Sequence, residues 1–256
     1  MTVLVPTMGA LHKGHQALIK RARTLDKDVI VSIFVNPLQF ENKSDLETYP
    51  RSPERDIEIA TIAGANEVWF PEYEDLYPEG FKTLSAGSLS NVYEGASRPG
   101  HFDGVATVVV KLLNAVMPDA AYFGRKDFQQ LAVIRSVVRD LNIRCEVRGV
   151  PTVRNEMGLA LSSRNSRLSP YRLKQASIIY SILIEMANMA RNSETSSLTL
   201  QNHFKNGIQS ISAVKVEYVD VVDSDSLVPV AIAQKGTTIC VAVWFDDVRL
   251  IDNISI

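Results

Sequence analysis

The chain has 256 residues, a formal net charge of −2, and 46% hydrophobic against 22% charged residues. That balance suits a globular protein with a sizeable core, long enough for one large or two modest domains. It argues against nucleic-acid binding, since no basic stripe is interleaved with aromatics. A membrane role is equally unsupported: the longest apolar stretch, residues 105–117, is short and broken by Lys111, and no charged-then-apolar leader opens the sequence. Cys145 and Cys240 are the only cysteines. With no CxxC or Cys/His spacing they offer no zinc site, and two reduced, buried thiols are expected in preference to a disulfide between them.

Residues 3–5 form a short apolar run of strand type. Ala17, Leu18, Ala22 and Leu25 then recur at helical spacing, opposite Lys20, Arg21 and Arg23. Residues 29–35 are largely β-branched and apolar on both faces, as in a buried parallel strand, and Asn36-Pro37 ends them. Ser52-Pro53-Glu54 reads as an N-cap, a first helical residue and an acidic first turn. Ile57, Ile59, Ala60 and Ala63 give the helix that follows its apolar side, and Gly64 stops it. Further strands are expected at 67–70, 120–123 and 145–150, and further helices at 105–116 and 128–141. Arg98-Pro99-Gly100-His101 reads as a loop. This alternation predicts a doubly wound, Rossmann-like α/β domain over residues 1–152, its parallel sheet covered by helices on both faces.

Beyond Val153 the pattern changes. Ser169-Pro170 opens a long helix carrying Ile178, Leu183, Met186 and Ala190, and residues 192–197 read as a polar loop. Val214, Val216 and Tyr218 alternate with Lys215 and Glu217, the period of a half-exposed strand. Ile239, Val241 and Val243 share one face of another strand at 238–245. Residues 153–256 are therefore expected to form a smaller α+β domain.

Ligands of doubly wound sheets bind beyond the carboxyl ends of the strands. Three polar clusters fall there: His12 with His15, Asn36 with Gln39, and Gly124 to Asp127. Gly9 and Gly14 let backbone approach a ligand, and a helix start favours phosphate. Two imidazoles three residues apart share a helix face and could donate to phosphate oxygens as charge builds. Lys126 can neutralise phosphate and Asp127 can accept from ribose hydroxyls. Leu161-Ser162-Ser163-Arg164 adds two hydroxyls and a guanidinium, a compact anion-binding group. Gln39 and Gln130 are neutral donors that could hold a carboxylate without quenching it as a nucleophile. Taken singly, each has an ordinary reading: surface histidines at a turn, a solvated helix start with Asp127 answering the macrodipole, a polar loop, surface glutamines. Their shared position after the strands points to nucleotide chemistry at an α-phosphorus. It leaves open a transfer of AMP or CMP to a phosphate or alcohol, and a nucleotide-binding chain without turnover.

Read in order, PTMGALHKGH, SIFVNPLQF, YPRSPERD, EGASRPGHFDGV, YFGRKDFQQL, GVPTVR with GLALSSRN, and VAVWFDDVRLIDN closely resemble the pantothenate synthetase (pantoate–β-alanine ligase) family. The likeness runs over essentially the whole chain. It is far more specific than HxGH, which other nucleotidyltransferases and class I aminoacyl-tRNA synthetases share.

The resemblance implies two steps. The carboxylate of pantoate attacks the α-phosphorus of ATP, giving pantoyl adenylate and pyrophosphate; the amine of β-alanine then displaces AMP. Mg²⁺ accompanies the ATP, with no protein ligand identified for it. By motif, Met8, Gly9, Ala10, Leu11, His12, Lys13, Gly14 and His15 would line the ATP site. His15 would be the catalytic acid, His12 would stand beside it, and Lys126 would share the catalytic work. Gly124, Arg125, Lys126 and Asp127 would bind the nucleotide, and Val153 would contact adenine. Gln39 would hold pantoate and border β-alanine, and Gln130 would hold pantoate. Leu161, Ser162, Ser163 and Arg164 would close over the phosphates from the second domain, excluding water from the acyl adenylate.

The same resemblance implies a cytoplasmic homodimer whose partners are the small molecules pantoate, β-alanine and ATP, not nucleic acid or membrane. This chain departs from the family at two points. Arg125 stands where the family has Glu, and it is expected to face solvent because the adjacent Lys126 supplies the cation the chemistry needs. The family also has a short segment with a helix ahead of the first strand, where Met1 stands here. Asp56, Arg98 and His101 lie inside matching stretches and receive no role.

Overall fold

The computed structural model describes residues 1–26, 28–40 and 43–256. They fall into two compact units, residues 1–125 with 129–151 and residues 126–128 with 152–256. In chain order the first half contains β1 (Thr2–Thr7), α1 (Lys13–Leu25), β2 (Asp28–Ile33), α2 (Lys43–Glu47), α3 (Pro53–Ala63) and β3 (Glu67–Trp69). There follow α4 (Tyr73–Leu76), α5 (Tyr93–Ser97), α6 (His101–Val116), β4 (Ala120–Gly124), α7 (Phe128–Asp140) and β5 (Glu146–Val150).

The five strands make one parallel sheet in the order β3-β2-β1-β4-β5. The chain works outward from β1 to β3, then returns to the other side of β1, so the order reverses between β1 and β4. The strand pleat explains the two-faced burial. Val3, Val5, Val29, Val31, Ala120 and Tyr122 face one layer, packed with Ile19 and Ala22 of α1 and Ala60 and Ala63 of α3. Leu4, Ala121 and Phe123 face the other, packed with Val105, Val109 and Leu113 of α6 and with Leu131 and Ile134 of α7. The doubly wound α/β expectation holds.

Two of the boundary shifts bear on the site. α6 begins at His101, not at residue 105, because Gly100 takes φ 78 as its N-cap; the expected loop ends there. β2 stops at Ile33. The Phe34 N–H still donates to the Thr7 carbonyl at 3.0 Å, but the Asn36 side chain then accepts from Leu38 N–H and starts a 3₁₀ turn, Pro37–Gln39.

The second half contains α8 (Pro170–Ala176), α9 (Ile178–Asn192), β6 (Thr195–Ser196), α10 (Ser197–Ile208), β7 (Val214–Asp223), β8 (Ile232–Ala233), β9 (Thr237–Phe245) and β10 (Val248–Ser255). β10, β9 and β7 form an antiparallel sheet in that order, and β6 pairs with β8. Ile239, Val241, Val243 and Phe245 of β9 pack with Ile179, Leu183 and Met186 of α9 and with Leu200 and Phe204 of α10, the α+β arrangement expected. The long helix is two helices. They meet at Ser177, which keeps helical dihedrals (φ −64, ψ −18) while its hydroxyl donates to the Lys174 carbonyl at 2.6 Å. The polar loop expected at 192–197 is instead the end of α9, the strand β6 and the start of α10, which Ser196 caps by accepting from Thr199 N–H. Neither cysteine is in a disulfide; Cys240 is buried but Cys145 is only half-buried. Among the described residues no helix is long and apolar enough to cross a membrane.

Candidate active site

The loop from β1 to α1 is held by three hydrogen bonds to two side chains. Thr7 Oγ1 accepts from Gly9 N–H at 3.3 Å. The buried carboxylate of Asp56, in the first turn of α3, accepts from Ala10 N–H at 2.9 Å and Leu11 N–H at 2.7 Å. Gly9 and Ala10 take φ 81 and 50, the left-handed region that needs glycine or an external hold.

His12 is the N-cap of α1 and is extended, so it does not lie within the helix beside His15. Its Nδ1 accepts from Gly14 N–H at 3.0 Å, and His15 Nδ1 accepts from His12 N–H at 3.2 Å. The two rings cap the helix reciprocally, a histidine version of the capping box. Their centroids are 4.2 Å apart. One N–H of the helix start, that of Gly14, is therefore taken by a ring. With Nδ1 accepting, the proton of each neutral imidazole sits on Nε2. Both rings thereby become Nε2–H donors fixed by backbone.

Gln39 ends the 3₁₀ turn after β2 and is buried. Tyr77 donates to Asn36 Oδ1 at 2.7 Å, and Asn36 Nδ2 donates to Gln39 Oε1 at 3.1 Å. That occupies the amide oxygen and leaves Nε2, which contacts Met8 Sδ, as the donating end. Burial, then the Tyr73 charge, pushes the Tyr77 phenol well above its usual range, so it stays a donor. The Gln39 carbonyl receives Arg98 Nη2 at 3.1 Å and His101 Nδ1 at 2.9 Å. Gln130 is half-buried in the first turn of α7. Its neighbour Gln129 is structural, binding Leu89 O, Val92 O and Glu94 N–H. Gly124 ends β4, and Arg125 is exposed, its Nε donating to the Gly149 carbonyl at 3.2 Å.

The remaining candidates belong to the second unit. The Val153 carbonyl accepts from Leu161 N–H at 2.9 Å, so a bridged turn brings those two together. Ser162 caps the 3₁₀ turn Ser163–Arg167. A cleft is lined by Lys126, Ser162, Arg164, Asn165, Arg249 and Asp252 among others. The Lys126 carbonyl accepts from Asn253 Nδ2 at 2.9 Å, and its ammonium lies 3.5 Å from Asp127. Ser163 and Arg164 are exposed. Arg249 is gripped by Glu217, and Arg154 by Asp252. Asn165 and Arg249 drew no role from the sequence; their only signal is adjacency to SSR and membership of VRLIDN.

Fold and loop together define a doubly wound α/β protein with an HxGH helix start. A family model described as pantoate-beta-alanine ligase matches residues 1–255. The chain is 45% identical to the pantothenate synthetase of Akkermansia muciniphila over 99% of its own length and 92% of the relative's. It is 48% identical to that of Aquifex aeolicus over 97% and 89%. The crystal structure of the Thermus thermophilus pantothenate synthetase is 44% identical, covers 99% of this chain and 92% of that one, and superimposes with a TM-score of 0.91. The Francisella tularensis pantoate-beta-alanine ligase, solved complexed with β,γ-ATP and β-alanine, is 36% identical, with 99% and 89% covered and a TM-score of 0.75. The chain belongs to the pantoate–β-alanine ligase family, the enzymes that make pantothenate.

Proposed function

We propose that the ligase works by adenylation, in two half-reactions on one site. The pantoate carboxylate attacks the α-phosphorus of ATP and pyrophosphate leaves; the β-alanine amine then attacks the acyl carbon and AMP leaves. The reciprocal cap of His12 and His15 is the observation that carries this reading. It fixes two Nε2–H donors at the carboxyl end of β1, next to β4, where the sheet order reverses. Donors held by backbone stabilise charge developing on phosphate without reorganising.

In this reading His15 is the acid toward the leaving pyrophosphate, and His12 and Lys126 neutralise the phosphates. Met8 to Leu11, Lys13 and Gly14 line the ATP, with Gly124, Arg125, Asp127 and Val153 around the rest of the nucleotide. Gln39 meets pantoate through its Nε2 and also borders β-alanine, and Gln130 meets pantoate. The second domain, residues 153–256, serves as a lid whose Leu161, Ser162, Ser163 and Arg164 exclude water from the acyl adenylate. Mg²⁺ enters bound to ATP. Among the described residues no group of three or more His, Cys, Asp or Glu is arranged for a metal, and Mg²⁺ is satisfied by phosphates, waters and one or two carboxylates. The reading includes a homodimer and a cytoplasmic location, the latter in keeping with two cysteines that form no disulfide.

Nucleotide products decide it. Incubation with ATP, pantoate and β-alanine should give AMP and pyrophosphate, with neither formed when pantoate is omitted. Formation of ADP would overturn the mechanism.

A further inference from the structure

We propose that Asp56 is the positioning residue of the catalytic loop, holding residues 9–11 in the backbone shape that presents His12 and His15 for adenylation. The inference rests on the adenylation reading and extends it to a residue 46 positions down the chain from Ala10. Asp56 is 2% exposed. Each carboxylate oxygen takes one loop amide, Oδ2 from Ala10 and Oδ1 from Leu11. Such charge-assisted bonds to a buried carboxylate are the strong kind, and they fix two successive peptide planes. Those planes lead directly into His12, whose own N–H then orients the His15 ring.

The loop needs that hold. Ala10 sits at φ 50, where an L-residue persists only if its surroundings over-determine it. The fit is close on the other side too: a Cβ added to Gly9 would stand 2.9 Å from Asp56 Oδ2. With both oxygens occupied by N–H groups, the carboxylate acts through the loop and not on the substrate.

Asp56→Asn keeps the size but turns an NH₂ toward one of the two loop amides. The full-length variant and its parent are compared in two assays: pantoate-dependent exchange of labelled pyrophosphate into ATP, and aminolysis of supplied pantoyl adenylate by β-alanine. Exchange should fall about 100-fold, as a displacement near 1 Å of reacting groups does. The KM for pantoate and the aminolysis rate should stay within about 3-fold of the parent, a split a merely structural role would not give. Gly9→Ala, which drives a methyl against Oδ2, should reproduce the split. Exchange retained by Asp56→Asn, or both half-reactions falling together, would overturn the proposal. Amide hydrogen exchange of the parent gives a readout free of turnover: Ala10 and Leu11 N–H should be protected, and rapid exchange at both would overturn it even if Asp56→Asn failed to fold. Absence of pyrophosphate exchange in the parent would instead sink the adenylation reading.

Discussion

Gly104→Ala inserts one methyl where α6 crosses the Pro37–Gln39 turn. The new Cβ would stand 2.5 Å from the Leu38 carbonyl oxygen, 2.6 Å from its carbon and 2.9 Å from Gln39 N. All three are backbone atoms, so no side chain can swing aside. The closest is about 0.9 Å inside ordinary contact, and the turn or the helix must move by about that much. The Gly104 carbonyl also accepts from Asn36 Nδ2 at 3.1 Å, so the movement loosens the relay that orients the Gln39 amide. Overpacking of this kind costs about 1–3 kcal/mol. At about 2–4 °C per kcal/mol for a chain of this size, the melting midpoint should drop by roughly 2–12 °C. The effect on pantoate should be larger, because a shift near 1 Å in a positioning group costs about 100-fold. Steady-state kinetics should show kcat/KM for pantoate down by about that factor, with KM for ATP changed less than about 3-fold. A variant with the parent's melting point and pantoate kinetics would refute the reasoning.

Asp252→Ala strands Arg154, whose side chain is 14% exposed and whose guanidinium makes two bonds to Asp252 and lies 3.4 Å from the Tyr180 ring centroid. Because the Gly158 carbonyl still accepts from Arg154, the loss should fall near the lower end of the range for broken buried pairs, about 3 kcal/mol. Calorimetry should show it as a lowered unfolding transition of the second unit, and an unchanged transition would contradict the pairing. Burial, helped by the Glu146 and Asp119 charges, pushes the Cys145 thiol up to about 11. Iodoacetamide at pH 8 should therefore alkylate it about 100-fold more slowly than an exposed thiol. Folding favours the neutral thiol, so its contribution to stability is present below about pH 9 and fades as pH rises through about 11. An alkylation rate equal to that of an exposed cysteine would contradict this. His15→Ala should abolish adenylate formation while leaving the circular dichroism spectrum intact; near-normal turnover would show that His15 is not the acid.

The layers of this fold were legible because burial in it is periodic. Residues 3–5, 29–33 and 120–123 alternate between two covered faces, and α1, α3 and α7 carry apolar positions at helical spacing. What escaped notice was local chemistry competing with pattern. Gly100 after Pro99 looks like a loop, yet its positive φ starts α6 four residues early and carries His101 to the Gln39 carbonyl. α10 went unseen behind the polar 192–197 stretch, although Leu200, Phe204 and Ile208 recur every fourth residue and Ser196 caps them. The candidate site divides the same way. HxGH and its neighbours declared themselves by residue type and position after strands. The Asp56 bonds to Ala10 and Leu11 span some 45 residues, and only the folded sheet brings those partners together. The N-capping by His12 was missed because histidine is an unusual cap; the rings look like ligand groups and are also structural ones.

The most direct test asks whether pantoate is activated on phosphorus before any amine arrives. Labelled pyrophosphate, ATP, Mg²⁺ and pantoate are incubated with the protein in the absence of β-alanine. Adenylation requires the label to enter ATP, and to stop entering when pantoate is withheld. Pantothenate formation with β-alanine present, but no exchange in its absence, would contradict it.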